Sequence, residues 1–276
     1  MPILTKEEIV ANAKCIVYGS TQGLYVGENG KSIKEFIESG NREVLEFPVM
    51  DAEMVYTGCP VNEHHFTMET QYHWIMPRVA KMLDIPYNTN DFVLIEKKLD
   101  HYEGYNYSGP YPKLYDFSYM IPRKHTPVTI YTMKVDFAET EAGVSTTVTR
   151  GYLVNEVTSL KDVIGSYGNW NQHIFGNNLK QAGTPYHQSY KYAHWSSKIV
   201  NENAPIDKCI LISGDSQVLP LIPILAYYVK TVIYLDYRWS GITNKYLWEN
   251  ENITDVVFAM FPLFHGIDKY ANHNLF

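Results

Sequence analysis

Three cysteines in 276 residues are too few, and too scattered, for a disulfide framework or a thiolate metal site. Cys15, Cys59 and Cys209 show no metal-type spacing, and their odd number leaves at least one thiol unpaired. Cys209 falls in the apolar run Cys209–Ile212, where a thiol packs as a small hydrophobe. Basic runs are also lacking: 23 Lys and Arg against 30 Asp and Glu give a net charge of −7. Phosphate-backbone binding needs clustered cations, so nucleic acid is not an expected partner. The longest apolar run, Val218 to Val229, is too short to span a membrane and carries two prolines. Met1 to Glu8 has no basic region followed by an apolar run, so on this reading alone the chain has no export signal and is expected in the cytoplasm. Repeats, low-complexity tracts and Gly/Ser linkers are missing too, so residues 1–276 are expected to form one domain.

What is abundant is tyrosine, at 23 residues. Its flat apolar face and polar tip suit both packed cores and wet carbohydrate-binding surfaces, and packing is the commoner use.

Local patterns place the elements. Thr5 with Glu8 three residues on has capping-box spacing for a helix from Thr5 to Ala13. Cys15 to Tyr18 reads as a strand ending in the turn Gly19–Gly23, which lacks the lysine and spacing of a phosphate loop. Ser32–Glu38 has helical period, and Glu43–Val49 reads as a strand with Pro48 at its end. Thr67–Leu83 has helical period, interrupted by Pro77. Between about 91 and 150 the runs Phe92–Ile95, Val128–Tyr131 and Val144–Val148 predict a β-rich insertion, with Tyr102–Tyr119 as a loop. Tyr152–Tyr192 has no regular period except helical propensity around Ser159–Ile164.

The C-terminal third alternates strand and helix: Cys209–Ile212, Val218–Tyr228, Val232–Asp236, Tyr246–Asn250 and Asp255–Phe261. That order predicts a parallel sheet covered on both faces. Ser216, after Ile212-Ser213-Gly214-Asp215, then falls where a strand gives way to a helix. Ligand sites of open α/β sheets lie beyond the carboxyl ends of strands. Free N–H groups of a first helical turn can also stabilise an oxyanion there. The same Gly-Asp-Ser is otherwise a turn with helix-capping residues.

A serine nucleophile needs a base. Glu63-His64-His65 is the densest cluster of ionisable groups elsewhere. In an extended segment Glu63 and His65 leave on one face, as a carboxylate and the imidazole it orients would. Two rival readings of the histidines remain. His65, Glu69 and His73 share a helix face at i, i+4 and i+8, a spacing too spread for one ion and more in keeping with a solvated face. His173, His187 and His194 lie among aromatics; His194-Trp195 is a second candidate base or sugar-stacking pair.

Glu63-His64-His65-Phe66-Thr67 resembles the Asp-His-His-Trp-Thr signature of the DHHW family. That family is similar to the SGNH-hydrolase-like proteins that O-acetylate alginate and other bacterial exopolysaccharides. The resemblance continues in the helix from Tyr72 to Leu83, in Lys113 to Arg123 with its Tyr-Asp-Phe-Ser-Tyr-Met-Ile-Pro stretch, and from Lys208 to Arg238, over roughly two thirds of the chain. It implies a three-layer α/β/α, flavodoxin-like fold with a parallel sheet and a circularly permuted motif order, the histidine preceding the serine. It implies Ser216 as nucleophile, His65 as base and Glu63 as the orienting carboxylate. Arg238, Asp215, Gly214 and His64 are implied around the oxyanion or substrate, with Asn169 and Asn171 as further donors. The substrates implied are a polysaccharide and an acetyl donor, with no cofactor, and the location implied is the cell envelope. Glu63 stands for the usual Asp and Phe66 for Trp. Those two departures define the alternative function, a glycan- or partner-binding module without turnover.

Overall fold

The computed structural model describes residues 4–18, 37–47, 71–98, 116–139, 145–163, 196–236 and 244–260. Eight of its strands form one sheet, in the order β2 (Val44–Glu46), β1 (Lys14–Val17), β10 (Asp255–Met260), β8 (Ile206–Gly214), β9 (Val229–Asp236), β7 (Ser196–Val200), β5 (Pro127–Glu139) and β6 (Ser145–Ser159). Five run parallel: β1, β2, β8, β9 and β10. Beyond β9, the strands β7, β5 and β6 each run antiparallel to the neighbour before them. The sheet is therefore mixed, where the sequence pattern predicted a parallel one. Strands β3 (Phe92–Lys98) and β4 (Asp116–Pro122) pair apart from it as an antiparallel two-stranded sheet.

The parallel part has a readable topology. Counted from β8, with β1 and β2 taken last, its strand order is 2-1-3-4-5, the flavodoxin-like order. The N-terminal strands occupy the places that a chain beginning at β8 would reach last.

Strand period divides the core in two. In β8, Ile210 and Ile212 join one cluster while Cys209 and Leu211 join another. Ile16, Val257 and Val232 fall with the first; Val17, Phe258 and Ile233 fall with the second. Alternate residues of a strand leave on opposite faces, so each cluster fills one face of the sheet. Burial on both faces explains why these strands read as continuous apolar runs. The first face is covered by helices α2 (Met76–Met82) and α4 (Leu221–Tyr228), through Val79, Ala80, Leu221 and Leu225. The second is covered by α1 (Lys6–Ala11) and α5 (Asn244–Asn250), through Ile9 and Leu247. Each fully buried Leu, Ile or Val contributes roughly 1.5–3 kcal/mol relative to exposure.

The capping box of α1 forms as its spacing predicts: Glu8 N–H donates to Thr5 Oγ1 at 3.2 Å, and Thr5 N–H to Glu8 Oε2 at 2.7 Å. The helix read at Thr67–Leu83 is described from Gln71 and is not uniform. A π-helical turn, Gln71–Ile75, precedes α2 and leaves Pro77 in the first turn of the α-helix, where it is tolerated. In π pairing the N–H of residue 77 would reach the Tyr72 carbonyl. Proline has none, and the Tyr87 hydroxyl donates to that carbonyl instead, at 3.1 Å.

Two expectations are corrected, and one strand went unforeseen. Asp116–Pro122 is a strand that reaches back into the stretch read as a loop, with Met120 N–H held by the Tyr72 hydroxyl at 3.1 Å. Strand β6 runs on to Ser159 through residues read as irregular, because pairing to β5 overrides its mixed polar pattern. Strand β7 carries no apolar run and exists by pairing on both sides, to β9 and β5. The short helix α3 (Leu160–Val163) falls where helical propensity was read. No described helix is long and apolar enough to cross a membrane.

Candidate active site

Strand β8 delivers the Gly-Asp-Ser segment to the carboxyl edge of the parallel strands. It ends at Gly214, Asp215 follows, and Ser216 opens a 3-10 turn, Ser216–Val218. Gly214 lies tight against β10. A Cβ there would meet Ala259 Cβ at 3.0 Å, the Ala259 carbonyl at 3.1 Å and Val218 Cγ1 at 3.1 Å. A larger residue would need Ala259 of β10 or Val218 of the turn to give by a few tenths of an ångström.

Asp215 is 1 % exposed, and it organises the turn. Its Oδ1 accepts the Gln217 N–H at 2.9 Å, and its carbonyl accepts the Val218 N–H at 3.3 Å. The expectation that the first helical turn offers free N–H groups is thereby corrected for these two: both are engaged locally. Helix α4 begins only at Leu221, behind Pro220, so the turn holding Ser216 is separate from it.

Three strands end in the same way. Tyr18 follows β1, Phe47 follows β2 and Asp215 follows β8, and all three are buried. The Tyr18 and Phe47 rings lie 6.2 Å apart, and Trp74 meets Phe47 edge-on at 5.1 Å. Arg78 stacks over Trp74 at 4.5 Å from the ring centre. Burial, and then the Asp215 charge, push the Tyr18 phenol well above its ordinary pKa. It therefore remains a neutral hydroxyl throughout the physiological range.

The π-helical turn closes over this edge. Gln71, fully buried, donates from Nε2 to the Gln217 carbonyl at 3.1 Å. Trp74, three residues on, packs against Phe47. The turn thus touches the segments after β8 and β2, and in sequence it begins four residues after Thr67.

Of the residues singled out in the sequence, Gly214, Asp215 and the backbone of Ser216 stand together at this edge. Glu63, His64, His65 and Arg238 lie outside the described residues, as do Glu69, His173, His187, His194, Asn169, Asn171, Cys59 and the turn at 19–23. His73 is described and exposed. Among the described residues no three His, Cys, Asp or Glu side chains are grouped to hold a metal. Sequence reasoning missed Gln71, Tyr18 and Phe47. Tyr18 and Phe47 each end a strand, which is a usable signal. Gln71 offered none, since only tertiary packing reveals a buried glutamine.

No family model matches this chain, and no curated protein matches it. Solved structures do share its fold. PatB1 of Bacillus cereus, solved with a sulfonyl adduct, is 18% identical with a TM-score of 0.52, covering 93% of this chain and 83% of its own. A second PatB1 structure gives 17% identity and a TM-score of 0.53, covering 93% and 84%. A DHHW family protein from Eubacterium siraeum gives 15% identity and a TM-score of 0.52, covering 97% of this chain and 85% of its own. At these identities the likeness is one of fold. It includes a protein of the family that the Glu63–Thr67 segment resembles.

Proposed function

We propose that the chain is a circularly permuted SGNH-like serine enzyme that moves acetyl groups on and off a polysaccharide. The observation that carries this reading is the placement of Ser216 immediately beyond β8, at the carboxyl edge of a 2-1-3-4-5 parallel sheet. Two further features support it. The Gln71–Gln217 bond brings the chain that follows the Glu63–His65 motif to the turn holding Ser216. The fold is shared with PatB1 bearing a sulfonyl adduct, and sulfonyl reagents modify activated nucleophiles.

In this mechanism His65, oriented by Glu63, takes the proton of the Ser216 hydroxyl as its oxygen attacks the acetyl carbonyl of a donor ester. A bond forms between Oγ and the acetyl carbon, and the tetrahedral oxyanion is held by the Ser216 N–H with Arg238. Collapse breaks the donor C–O bond, and the leaving oxygen takes the proton from His65. A sugar hydroxyl then attacks the acetyl-serine, gives its proton to His65, and departs as the acetyl ester while Ser216 recovers its hydrogen. Water in place of the sugar gives acetate, so transferase and esterase differ only in the acceptor. Asp215 and Gly214 shape the turn, and His64, the base's neighbour in sequence, is proposed to face the substrate. One domain spanning the chain, with helices on both sheet faces and the β-rich segment at about 91–150 inserted, is the architecture proposed to carry this chemistry.

The test is hydrolysis of 4-nitrophenyl acetate by the intact protein, Ser216→Ala and His65→Ala. Loss of turnover in both variants, with the fold retained, supports the triad. An unchanged rate in His65→Ala would reject that base even if Ser216 proved essential. Binding of acetylated glycan with no turnover at all would favour a non-enzymatic module.

A further inference from the structure

The helical segment that enters the site does not keep one period. Residues seven apart on an α-helix lie on one line to within about 20°. Gln71 is fully buried, yet Arg78, seven on, is exposed. His73 is exposed, yet Ala80, seven on, is buried. A separation of eight restores both matches: Gln71 with buried Val79, and His73 with exposed Lys81. One extra residue therefore lies between the two stretches, and the π-helical turn Gln71–Ile75 accommodates it. An extra residue rotates everything before it by about 100° around the helix axis. In a straight α-helix Gln71 would sit on the exposed line of Arg78. The π turn brings it inward, onto the Gln217 carbonyl at 3.1 Å.

A π turn is far rarer than the α turn it replaces, so something must favour it. Two residues do so here. In α pairing the Pro77 ring would press on the His73 carbonyl. In π pairing the Tyr72 carbonyl calls for an N–H at residue 77, which proline lacks, and the Tyr87 hydroxyl donates to it at 3.1 Å. Without that hydroxyl, the Tyr72 carbonyl would regain a donor by returning to α pairing with the Met76 N–H, and the extra residue would be lost from the turn. Tyr87 itself is firmly seated. Its half-buried ring lies 6.0 Å from Phe92 and 6.3 Å from Tyr228. The Tyr228 hydroxyl accepts from the Asn88 N–H at 3.0 Å and donates to Asp91 Oδ2 at 2.8 Å, which fixes the segment following Tyr87.

We infer that Tyr87 is a positioning residue for the turn that holds Ser216. Its hydroxyl sets the register of the π turn, and that register decides whether Gln71 reaches Gln217. Tyr87 acts through Tyr72 and Gln71, not by contact with substrate. The consequence for rate rests on the Ser216 chemistry proposed above; the register itself does not.

The experiment compares the intact protein with Tyr87→Phe and with the double variant Tyr87→Phe/Pro77→Ala. The first keeps the ring and removes only the hydroxyl. Pro77→Ala restores an N–H at the position from which π pairing reaches the Tyr72 carbonyl, so the double variant should do without the hydroxyl. On 4-nitrophenyl acetate, Tyr87→Phe should lower kcat about ten-fold or more with KM little changed. The double variant should regain most of the parent kcat. A second readout needs no activity. In NMR spectra the Gln71 carboxamide N–H signals, identified by their loss in Gln71→Met, should be protected from solvent exchange in the parent. They should lose that protection in Tyr87→Phe and recover it in the double variant. Unchanged protection in Tyr87→Phe, or a loss that Pro77→Ala does not repair, overturns the inference. So does a parent kcat in Tyr87→Phe when hydrolysis depends on Ser216. If protection changes as expected but hydrolysis proves independent of Ser216, it is the proposed chemistry that fails, and the role of Tyr87 in setting the register stands.

Discussion

Gln71 and Gln217, 146 residues apart in the chain, are joined by a hydrogen bond of 3.1 Å from the Gln71 side chain to the Gln217 carbonyl, in a site closed to solvent. Gln217 is the residue after Ser216, and Gln71 follows shortly after His65. One buried bond thus holds the entry to the π-helical turn against the turn proposed to carry the nucleophile.

Removing that bond should be felt in both stability and rate. Gln71→Met keeps the volume but leaves the Gln217 carbonyl buried without this donor, a cost of about 1–3 kcal/mol. A lower Tm is expected. So is a fall in kcat on 4-nitrophenyl acetate larger than any change in KM, because alignment is lost rather than substrate binding. Parent-like kcat in a folded Gln71→Met would show that the bond is purely structural.

Asp215 supplies a second test, through the turn itself. Its Oδ1 caps the Gln217 N–H, and Asn can do the same whereas Ala cannot. Asp215→Ala should destabilise by about 0.5–2 kcal/mol from the lost cap, and Asp215→Asn by less. Chemical denaturation of the two variants measures the order. Equal losses would mean that the carboxylate charge matters more than the cap.

Gly214→Ala asks how tightly β8 and β10 must close. The new methyl would meet the Ala259 carbonyl at 3.1 Å and the Ala259 side chain at 3.0 Å. Overpacking of this kind typically costs about 1–3 kcal/mol. Because the strain falls next to Ser216, turnover should drop further than Tm suggests. A variant with parent stability would show that the strands can part there freely.

The two halves of the molecule differed in how much the sequence revealed. Cys209–Ile212 and Val256–Phe258 are apolar on consecutive positions because both sheet faces are covered, and that run is legible without a structure. The capping box at Thr5 and Glu8 is local chemistry and was equally readable. Strand β7, Ser196–Val200, was not, because its strand state comes from neighbours on both sides rather than from its own residues. The π-helical turn was hidden behind an ordinary helical period, with Pro77 as its one local hint. At the site, the Gly-Asp-Ser turn after an apolar run was visible, but the engagement of the Gln217 and Val218 N–H groups depends on how Asp215 is buried.

Alkaline pH probes the core. Burial pushes the Cys15 and Cys209 thiols up to about 12 from an ordinary value of 9.0. Between those values the unfolded chain has released protons that the folded chain still holds, so stability falls as pH rises through that window. The phenols of buried Tyr18 and Tyr228 and of half-buried Tyr87 are displaced upward as well and act in the same direction. Tm should decline steadily above about pH 9, and iodoacetamide at pH 8 should modify Cys15 and Cys209 only after unfolding. Rapid modification of either thiol in the folded protein would contradict their burial.

Ser216 is proposed as an activated nucleophile served by His65. Reaction with a fluorophosphonate probe, followed by peptide mapping, tests it most directly. Covalent labelling is expected on Ser216, none in Ser216→Ala, and strongly slowed labelling in His65→Ala with the fold intact. Labelling that persists undiminished in Ser216→Ala, or a folded parent protein that takes no label, would contradict it.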